Sequence, residues 1–112
     1  MYMIETIIRP SALDAVKSKL TELGILGCTA IECKGFGKQK GHTERYRGGR
    51  MDVGFVPKVQ LKIAVREEDL ERAIEAITTS ARSGRVGDGK LFVYGLKRVV
   101  RIRTGEMDEA AL

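Results

Sequence analysis

A glycine-rich, cationic interruption at residues 35–58 separates two blocks of regular sequence pattern and limits the folds open to this chain. It contains six glycines, one of the two prolines and the only histidine. Six basic side chains stand against two acidic ones, so the stretch carries +4 of the net charge of +5. Long loops are uncommon in small domains unless they are functional or disordered. Because glycines beside cations can bring backbone N–H groups close to an anion, we expect a charged ligand or partner here.

On both sides of this interruption the hydrophobic pattern alternates between strand and helix. Apolar residues at every second position indicate strands, and apolar residues three and four apart indicate amphipathic helices. The predicted strands cover residues 3–8, 29–34, 59–65, 91–94 and 99–103, and the predicted helices cover residues 11–24 and 67–81. The order β-α-β, loop, β-α-β predicts an α+β chain of the ferredoxin-like βαββαβ type, with both helices on one face of an antiparallel sheet.

The second face of this sheet has no helix to cover it. Apolar residues nevertheless occur on both faces of several strands, and Ala30 and Ile31 are the core candidates of the second strand. A broad apolar face is typical of a surface that packs against another protein. Symmetric copies of the same chain are the simplest partner, so we expect a homo-oligomer.

The length and the cysteine usage narrow the class of protein. The 112 residues fit a single domain, residues 1–112. No apolar run of about 18 residues and no signal-peptide pattern occur, so we expect a cytoplasmic protein without membrane insertion. Cys28 and Cys33 lie on opposite faces of a regular strand, and we expect both to be reduced. With one histidine, the chain cannot supply a four-ligand Cys/His zinc site by itself.

Residues 34–37, Lys-Gly-Phe-Gly, begin like the RNA-binding signature of an RRM domain, which has the same order of strands and helices. That signature continues with aromatic residues that stack on bases. Here Lys38, Gln39 and Gly41 stand in its later positions. Three Phe and three Tyr are too few and too scattered for a stacking platform, so we expect no nucleic-acid partner.

Residues 84–90 follow the P-loop pattern of two glycines and a lysine until Leu91, where a Ser or Thr should bind magnesium. The segment also leads from a helix into a strand, the reverse of a P-loop, so no helix N-terminus faces the phosphates. Glycines beside Arg85 and Lys90 can still form a nest of N–H groups for a phosphate. The alternative is a plain glycine turn between helix and strand.

Five motifs occur together along the chain. They are KGFGKQKGH (34–42), YRG (46–48), FVPK (55–58), GRVGDGK (84–90) and RIRTGE (101–106). In this order and spacing they resemble the PII (P-II) nitrogen signal-transduction protein family, and the resemblance runs from the first strand to Leu112. In the family's terms, the T-loop is about residues 37–57, the B-loop about 82–90 and the C-terminal loop about 101–112.

The resemblance implies a homotrimer of ferredoxin-like subunits that binds ATP or ADP in the clefts between neighbours. With Mg²⁺ and ATP bound, 2-oxoglutarate would complete the site and Gln39 would contact the metal. The residues implied for the nucleotide are Ile7, Thr29, Gly35, Gly37, Lys38, Ala64, Gly87, Asp88, Gly89, Lys90, Arg101 and Arg103. The residues implied for 2-oxoglutarate are Gln39, Gly41, Lys58 and Gly87.

Arg101 and Arg103 favour an anionic ligand on physical grounds as well. Residues two apart project from one face of the predicted last strand. Two adjacent cations suit a polyanion, and a triphosphate is one. The alternative is an exposed basic strand edge.

The middle of the T-loop is implied to contact target proteins of nitrogen metabolism, with an ammonium transporter as one candidate. The implied contact residues are Arg45, Tyr46, Arg47 and Arg50. The positions of the family's uridylylated tyrosine and phosphorylated serine hold Met51 and Gly49. We therefore predict neither modification.

Position 62, often an acid in the family, is Lys62, which would repel Lys58 if both share a strand face. The alternative function is therefore an ATP- or ADP-sensing regulator with no 2-oxoglutarate response and a target outside nitrogen metabolism. No residue stands out as a water-positioning base, so we expect a regulator with at most weak ATPase activity rather than an enzyme.

Overall fold

The computed structural model describes residues 1–37, 43–45 and 51–112, with the backbone alone at 43–45 and 51–53. The strands are β1 (Tyr2–Ile8), β2 (Thr29–Gly35), β3 (Thr43–Arg45), β4 (Met51–Val53), β5 (Val56–Val65) and β6 (Lys90–Gly95). The α-helices are α1 (Leu13–Glu22) and α2 (Leu70–Ala81), preceded by 3-10 turns at Pro10–Ala12 and Glu67–Asp69. In this part of the chain no helix is long and apolar enough to cross a membrane.

Four strands form one antiparallel sheet in the order β2-β5-β1-β6. The central strand β1 pairs with β5 on one side, from Tyr2 opposite Val65 to Ile8 opposite Val59. On its other side it pairs with β6, from Tyr2 opposite Gly95 to Ile7 opposite Lys90. This strand order and the two helices confirm the predicted ferredoxin-like α+β fold.

The core lies between one face of this sheet and the two helices. Successive strand residues point to opposite faces, so Ile4 and Ile8 of β1 and Leu61 and Ile63 of β5 are buried beneath the helices. The helices bury one face each against these strands, with Val16 and Leu20 from α1 and Ala73, Ala76 and Ile77 from α2. The strand residues between them form the second face, which no helix of the described chain covers.

Two predictions about the strands are wrong, namely the strand at residues 99–103 and the burial of Ala30 and Ile31. Residues 99–103 form no strand, because Gly105 at φ 76° folds the chain back and its N–H donates to the Arg101 carbonyl at 2.7 Å. Ala30 and Ile31 are exposed in the single chain instead of forming core. Ile31 pairs with Gln60 on the face that no helix of the described chain covers, and Ala30 lies on β2, at the edge of the sheet.

The long interruption also contains regular structure that its sequence did not predict. β3 and β4 pair antiparallel, with Thr43 opposite Val53 and Arg45 opposite Met51. At the base of the loop, the rings of Phe36 and Phe55 pack edge to face with centroids 5.1 Å apart. The two cysteines are free, as expected.

Candidate functional site

The segment 82–90 connects α2 to β6 as a tight loop that requires glycine. Gly87 and Gly89 have φ of 104° and 103°, values that residues with a Cβ rarely adopt. A Cβ at Gly89 would lie 1.7 Å from the carbonyl oxygen of Ile7, so the loop backbone packs directly on the end of β1. The first residue of β6 is fixed as well, because the buried Thr6 hydroxyl donates to the Lys90 carbonyl at 2.8 Å.

The Asp88 carboxylate organises this loop from the inside. It accepts hydrogen bonds from the backbone N–H groups of Ser83 at 2.7 Å and Gly84 at 2.9 Å, and from the Ser83 hydroxyl. The guanidinium of Arg9 adds a contact at 3.2 Å. The Ser83 hydroxyl, followed by these backbone donors and Arg9, holds the pKa of Asp88 well below its usual range. Asp88 therefore remains ionised and fixes the loop conformation.

Two cations from neighbouring strand ends hold the loop from outside. Arg9, just after β1, donates to the Val86 carbonyl at 2.6 Å. Lys58, near the start of β5, donates to the Gly87 carbonyl at 2.7 Å and is only 7% exposed. Burial, and secondly the charge of Arg9, lower the pKa of Lys58 from its usual value. Lys58 is also the last residue of the long interruption, so its bond to Gly87 connects the base of that interruption to this loop.

Part of the expected ligand set lies at the end of the sheet where segment 82–90 packs on β1. Ile7 pairs with Gln60 and with Lys90, and Lys58 lies two residues before Gln60 on the same face of β5. Gly35, at the end of β2, lies so close to Lys58 that a Cβ would be 3.7 Å from its Cγ atom. The members brought together are Ile7, Gly35, Lys58, Gly87, Asp88, Gly89 and Lys90. Gly37 is exposed just beyond β2.

The other expected ligands lie towards the opposite end. Ala64 pairs with Met3, four residues along β5 from Gln60 and so about 13 Å away. Thr29 pairs with Lys62, between these two positions. The chain leaves β6 at the Met1 end, where the Leu96 N–H donates to the Met1 carbonyl at 3.0 Å. Since β6 spans about 17 Å, the segment that leads to residues 101–103 leaves the sheet at the end remote from Lys90.

The second face of the sheet carries a polar group at its centre. Glu5 accepts hydrogen bonds from Gln60 at 2.8 Å and from the Tyr94 hydroxyl at 3.1 Å, and the bond to Glu5 raises the pKa of Tyr94. Lys62 lies opposite Glu5 in the pairing of β1 with β5. It also lies on the same face of β5 as Lys58, as the predicted repulsion between the two lysines requires. Phe92 and Ile31 are exposed on the same face.

A cavity of about 230 Å³ lies on the helix side of the same loop. Ile8, Ile77, Ala81 and Leu91 give it an apolar lining, and it shares only Asp88, Gly89 and Lys90 with the expected ligand set. It is therefore separate from the cluster of Ile7, Gly35 and Lys58 on the opposite face of the sheet.

Comparison with known proteins agrees with the resemblance seen in the sequence. The family model described as Nitrogen regulatory protein P-II matches residues 1–106. The chain belongs to the P-II family. It is 52% identical to Nitrogen regulatory protein P-II of Pasteurella multocida and 48% identical to Nitrogen regulatory protein GlnK of Escherichia coli K12, each over 100% of both chains. A P-II protein of Rhizobium etli is 53% identical, again over the full length of both.

In this P-II chain, the start of the C-terminal loop is not the strand that the sequence predicted. Arg101 and Arg103 do not project from one strand face, because residues 102–104 form a turn. The guanidinium of Arg101 pairs with Glu106 at 2.9 Å, whereas Arg103 is exposed. The argument that Arg101 and Arg103 favour a polyanion because they share one strand face is therefore wrong. The two cations are still only two residues apart in the sequence.

Several expected residues lie outside the described part of the chain. These are Lys38, Gln39, Gly41, Tyr46, Arg47 and Arg50, and of Arg45 only the backbone is described. Sequence reasoning, in turn, gave no role to Arg9 or Ser83. The only sequence signal for Arg9 is its place at the end of a strand, and its partners are 77 and 79 positions away.

Proposed function

We propose that this P-II protein is a cytoplasmic, non-enzymatic regulator that binds ATP or ADP in clefts between the subunits of a homotrimer. The division of the ligand set supports this most strongly. Ile7, Gly35 and the B-loop lie at one end of the sheet, while Ala64 lies towards the other end, where the chain also leaves β6 before the C-terminal loop. A ligand set divided in this way fits a cleft between two neighbouring copies, in which each copy supplies one end of its sheet.

The B-loop fits the phosphates of a nucleotide. Its backbone is held by Asp88, Arg9 and Lys58 before any ligand arrives, so little ordering would be required on binding. Lys90 adds a cation on the face of Ile7. Such a fixed turn with adjacent positive charge is a common binding site for phosphate.

The proposal extends to 2-oxoglutarate, bound together with Mg²⁺ and ATP. Lys58 would pair with a carboxylate of this dianion, and Gln39 would contact the metal. Lys58 is suited to the task because it is buried, cationic and adjacent to Gly87. The bound state would then be transmitted through the T-loop to targets of nitrogen metabolism, with an ammonium transporter as one candidate.

Calorimetry and sedimentation test this function. We expect ATP and ADP each to bind with micromolar affinity, 2-oxoglutarate to bind only with Mg²⁺ and ATP, and the protein to sediment as a trimer. Absence of binding at millimolar ATP would refute the nucleotide site. A sedimentation coefficient of a monomer would refute the shared cleft.

The shared strand face of Lys58 and Lys62 favours a second candidate. The family's common acid at position 62 would place a charge opposite to that of Lys58 on this strand face, whereas Lys62 places a like charge there, so this candidate predicts that the response to 2-oxoglutarate is lost. The protein would then sense ATP and ADP alone and serve a target outside nitrogen metabolism. Normal ATP binding with no heat from 2-oxoglutarate would select this candidate, and restoration of the heat in Lys62→Glu would attribute the loss to this residue.

A further inference from the structure

The C-terminal loop is a closed turn that brings Arg101 and Glu106 together. The Arg101 N–H donates to the Glu106 carbonyl at 2.8 Å, and the Gly105 N–H returns a bond to the Arg101 carbonyl at 2.7 Å. Val100 and Met107 form a β-bridge just outside this turn. The backbone therefore sets the two side chains opposite each other.

The Glu106 carboxylate is held in place from two sides. Its Oε1 atom accepts from Arg101 Nη1 at 2.9 Å and from the Thr104 hydroxyl at 2.8 Å. The second guanidinium nitrogen, Nη2, donates to the Ala111 carbonyl at 3.3 Å. A carboxylate and a phosphate offer a guanidinium the same kind of charged oxygen acceptor. One edge of Arg101 is thus already occupied by an internal anion.

We propose that Glu106 is a built-in competitor that occupies Arg101 until a polyphosphate displaces it, and so lowers the nucleotide affinity. This rests on the proposed function, in which Arg101 contacts the phosphates. The pair is easily opened, because its side chains are 40% and 44% exposed. An exposed ion pair contributes little, so its removal should tighten binding by about three- to fivefold.

The test uses Glu106→Gln, which removes the charge and keeps an oxygen for Thr104. The matched control is Glu109→Gln, an equal loss of charge at an exposed position in the same segment. Dissociation constants are measured by calorimetry for ATP and for inorganic tripolyphosphate, which has no base or sugar. We expect Glu106→Gln to bind both ligands about three- to fivefold more tightly, and Glu109→Gln to match the wild type.

A second variant covers the case in which Glu106→Gln disturbs the turn. Thr104→Val leaves Arg101 and Glu106 intact but removes one support of the carboxylate, and we expect a smaller gain in affinity for both ligands. Equal or weaker binding by both variants would overturn the proposal and make Glu106 a residue that orients Arg101. An equal gain in Glu109→Gln would also overturn it, because net charge alone would then explain the effect. If the wild type binds neither ATP nor tripolyphosphate, the proposed function has failed and this inference fails with it.

Discussion

The B-loop and the C-terminal loop both contain cations of the expected ligand set, and the chain reaches them from opposite ends of β6, but they are stabilised in different ways. In addition to the local bonds from Ser83 and Gly84 to Asp88, the B-loop is held by residues distant in sequence, since Arg9 lies 79 positions from Asp88 and Lys58 lies 29 from Gly87. The contacts described for the C-terminal loop connect residues no more than 10 positions apart, such as Arg101 and Ala111. The B-loop therefore depends on the folded sheet, whereas the C-terminal loop is maintained by local contacts.

This difference suggests different roles in a shared site. A loop fixed by the core presents its backbone donors in one arrangement, and so can define where phosphates bind. A loop held by its own exposed ion pairs can change shape at little cost. The fixed loop of one subunit would then meet the adjustable loop of its neighbour.

Glycine replacement is expected to give the largest difference between the loops. Gly89→Ala places a Cβ against the Ile7 carbonyl and forces an unfavourable φ, so we expect a loss of about 3 kcal/mol in the free energy of unfolding and loss of ATP binding. Gly105→Ala is the matched variant, with φ of 76° but no heavy atom within 4 Å of its Cβ, and should lose about 1 kcal/mol. Urea unfolding at fixed protein concentration measures both. Equal losses would contradict the distinction.

Removal of an arginine that anchors each loop or its flanking segment should give the next largest difference between the two loops. Arg9→Gln breaks the contacts to Asp88 and to the Val86 carbonyl, so the B-loop loses its support from β1. We expect ATP to bind about tenfold more weakly, which corresponds to about 1.4 kcal/mol.

The control is Arg98→Gln, which removes an exposed ion pair with Asp108 in the C-terminal segment. We expect its ATP dissociation constant to stay within about twofold of the wild type, in line with the small contribution of exposed pairs. A tenfold effect in Arg98→Gln, or none in Arg9→Gln, would show that the two segments do not differ in the proposed way.

The same contrast explains which features the sequence could predict. In β1 and β5 the alternation of residue types along the strand indicates which side chains are buried, so the sheet and its helix-covered face were predictable. The glycines of the B-loop also signalled a tight turn. The role of Arg9 depends on which strands become neighbours, and no local pattern encodes that. The core prediction for Ala30 and Ile31 is wrong because their burial depends on the position of β2 at the sheet edge and on the face to which each side chain points.

The strand predicted at residues 99–103, where the C-terminal loop begins, is absent for a different reason. Val99 and Val100 have high strand propensity, and propensity alone favours a strand through Arg103. Gly105 and Asp108 oppose it, because both adopt positive φ and reverse the chain within a few residues. The Asp108 N–H and carboxylate then bond to Val99, which closes the turn. Local turn chemistry therefore overrode strand propensity here.

The pH dependence of stability should show the smallest difference. The pKa of Asp88 is lowered chiefly by Ser83, and that of Asp108 by Arg98 and the Val99 N–H. A carboxyl group whose pKa is lower in the folded state stabilises the fold fully above its unfolded pKa of about 4. That contribution decreases as the pH falls below this value towards the folded pKa. Stability in the wild type should therefore decrease between pH 5 and pH 3.

Asp88→Asn and Asp108→Asn separate the two loops in this pH range. Both remove a titrating carboxyl group, and Asn tolerates the φ of 56° found at position 108. Because Asp88 has more hydrogen-bond donors, we expect Asp88→Asn to flatten the pH dependence more than Asp108→Asn, although each is less stable than the wild type at pH 7. Urea midpoints at pH 7, 5, 4 and 3 provide the measurement. A flatter profile for Asp108→Asn would mean that the contacts of Asp108 stabilise its carboxylate at least as strongly as those of Asp88 stabilise the B-loop carboxylate.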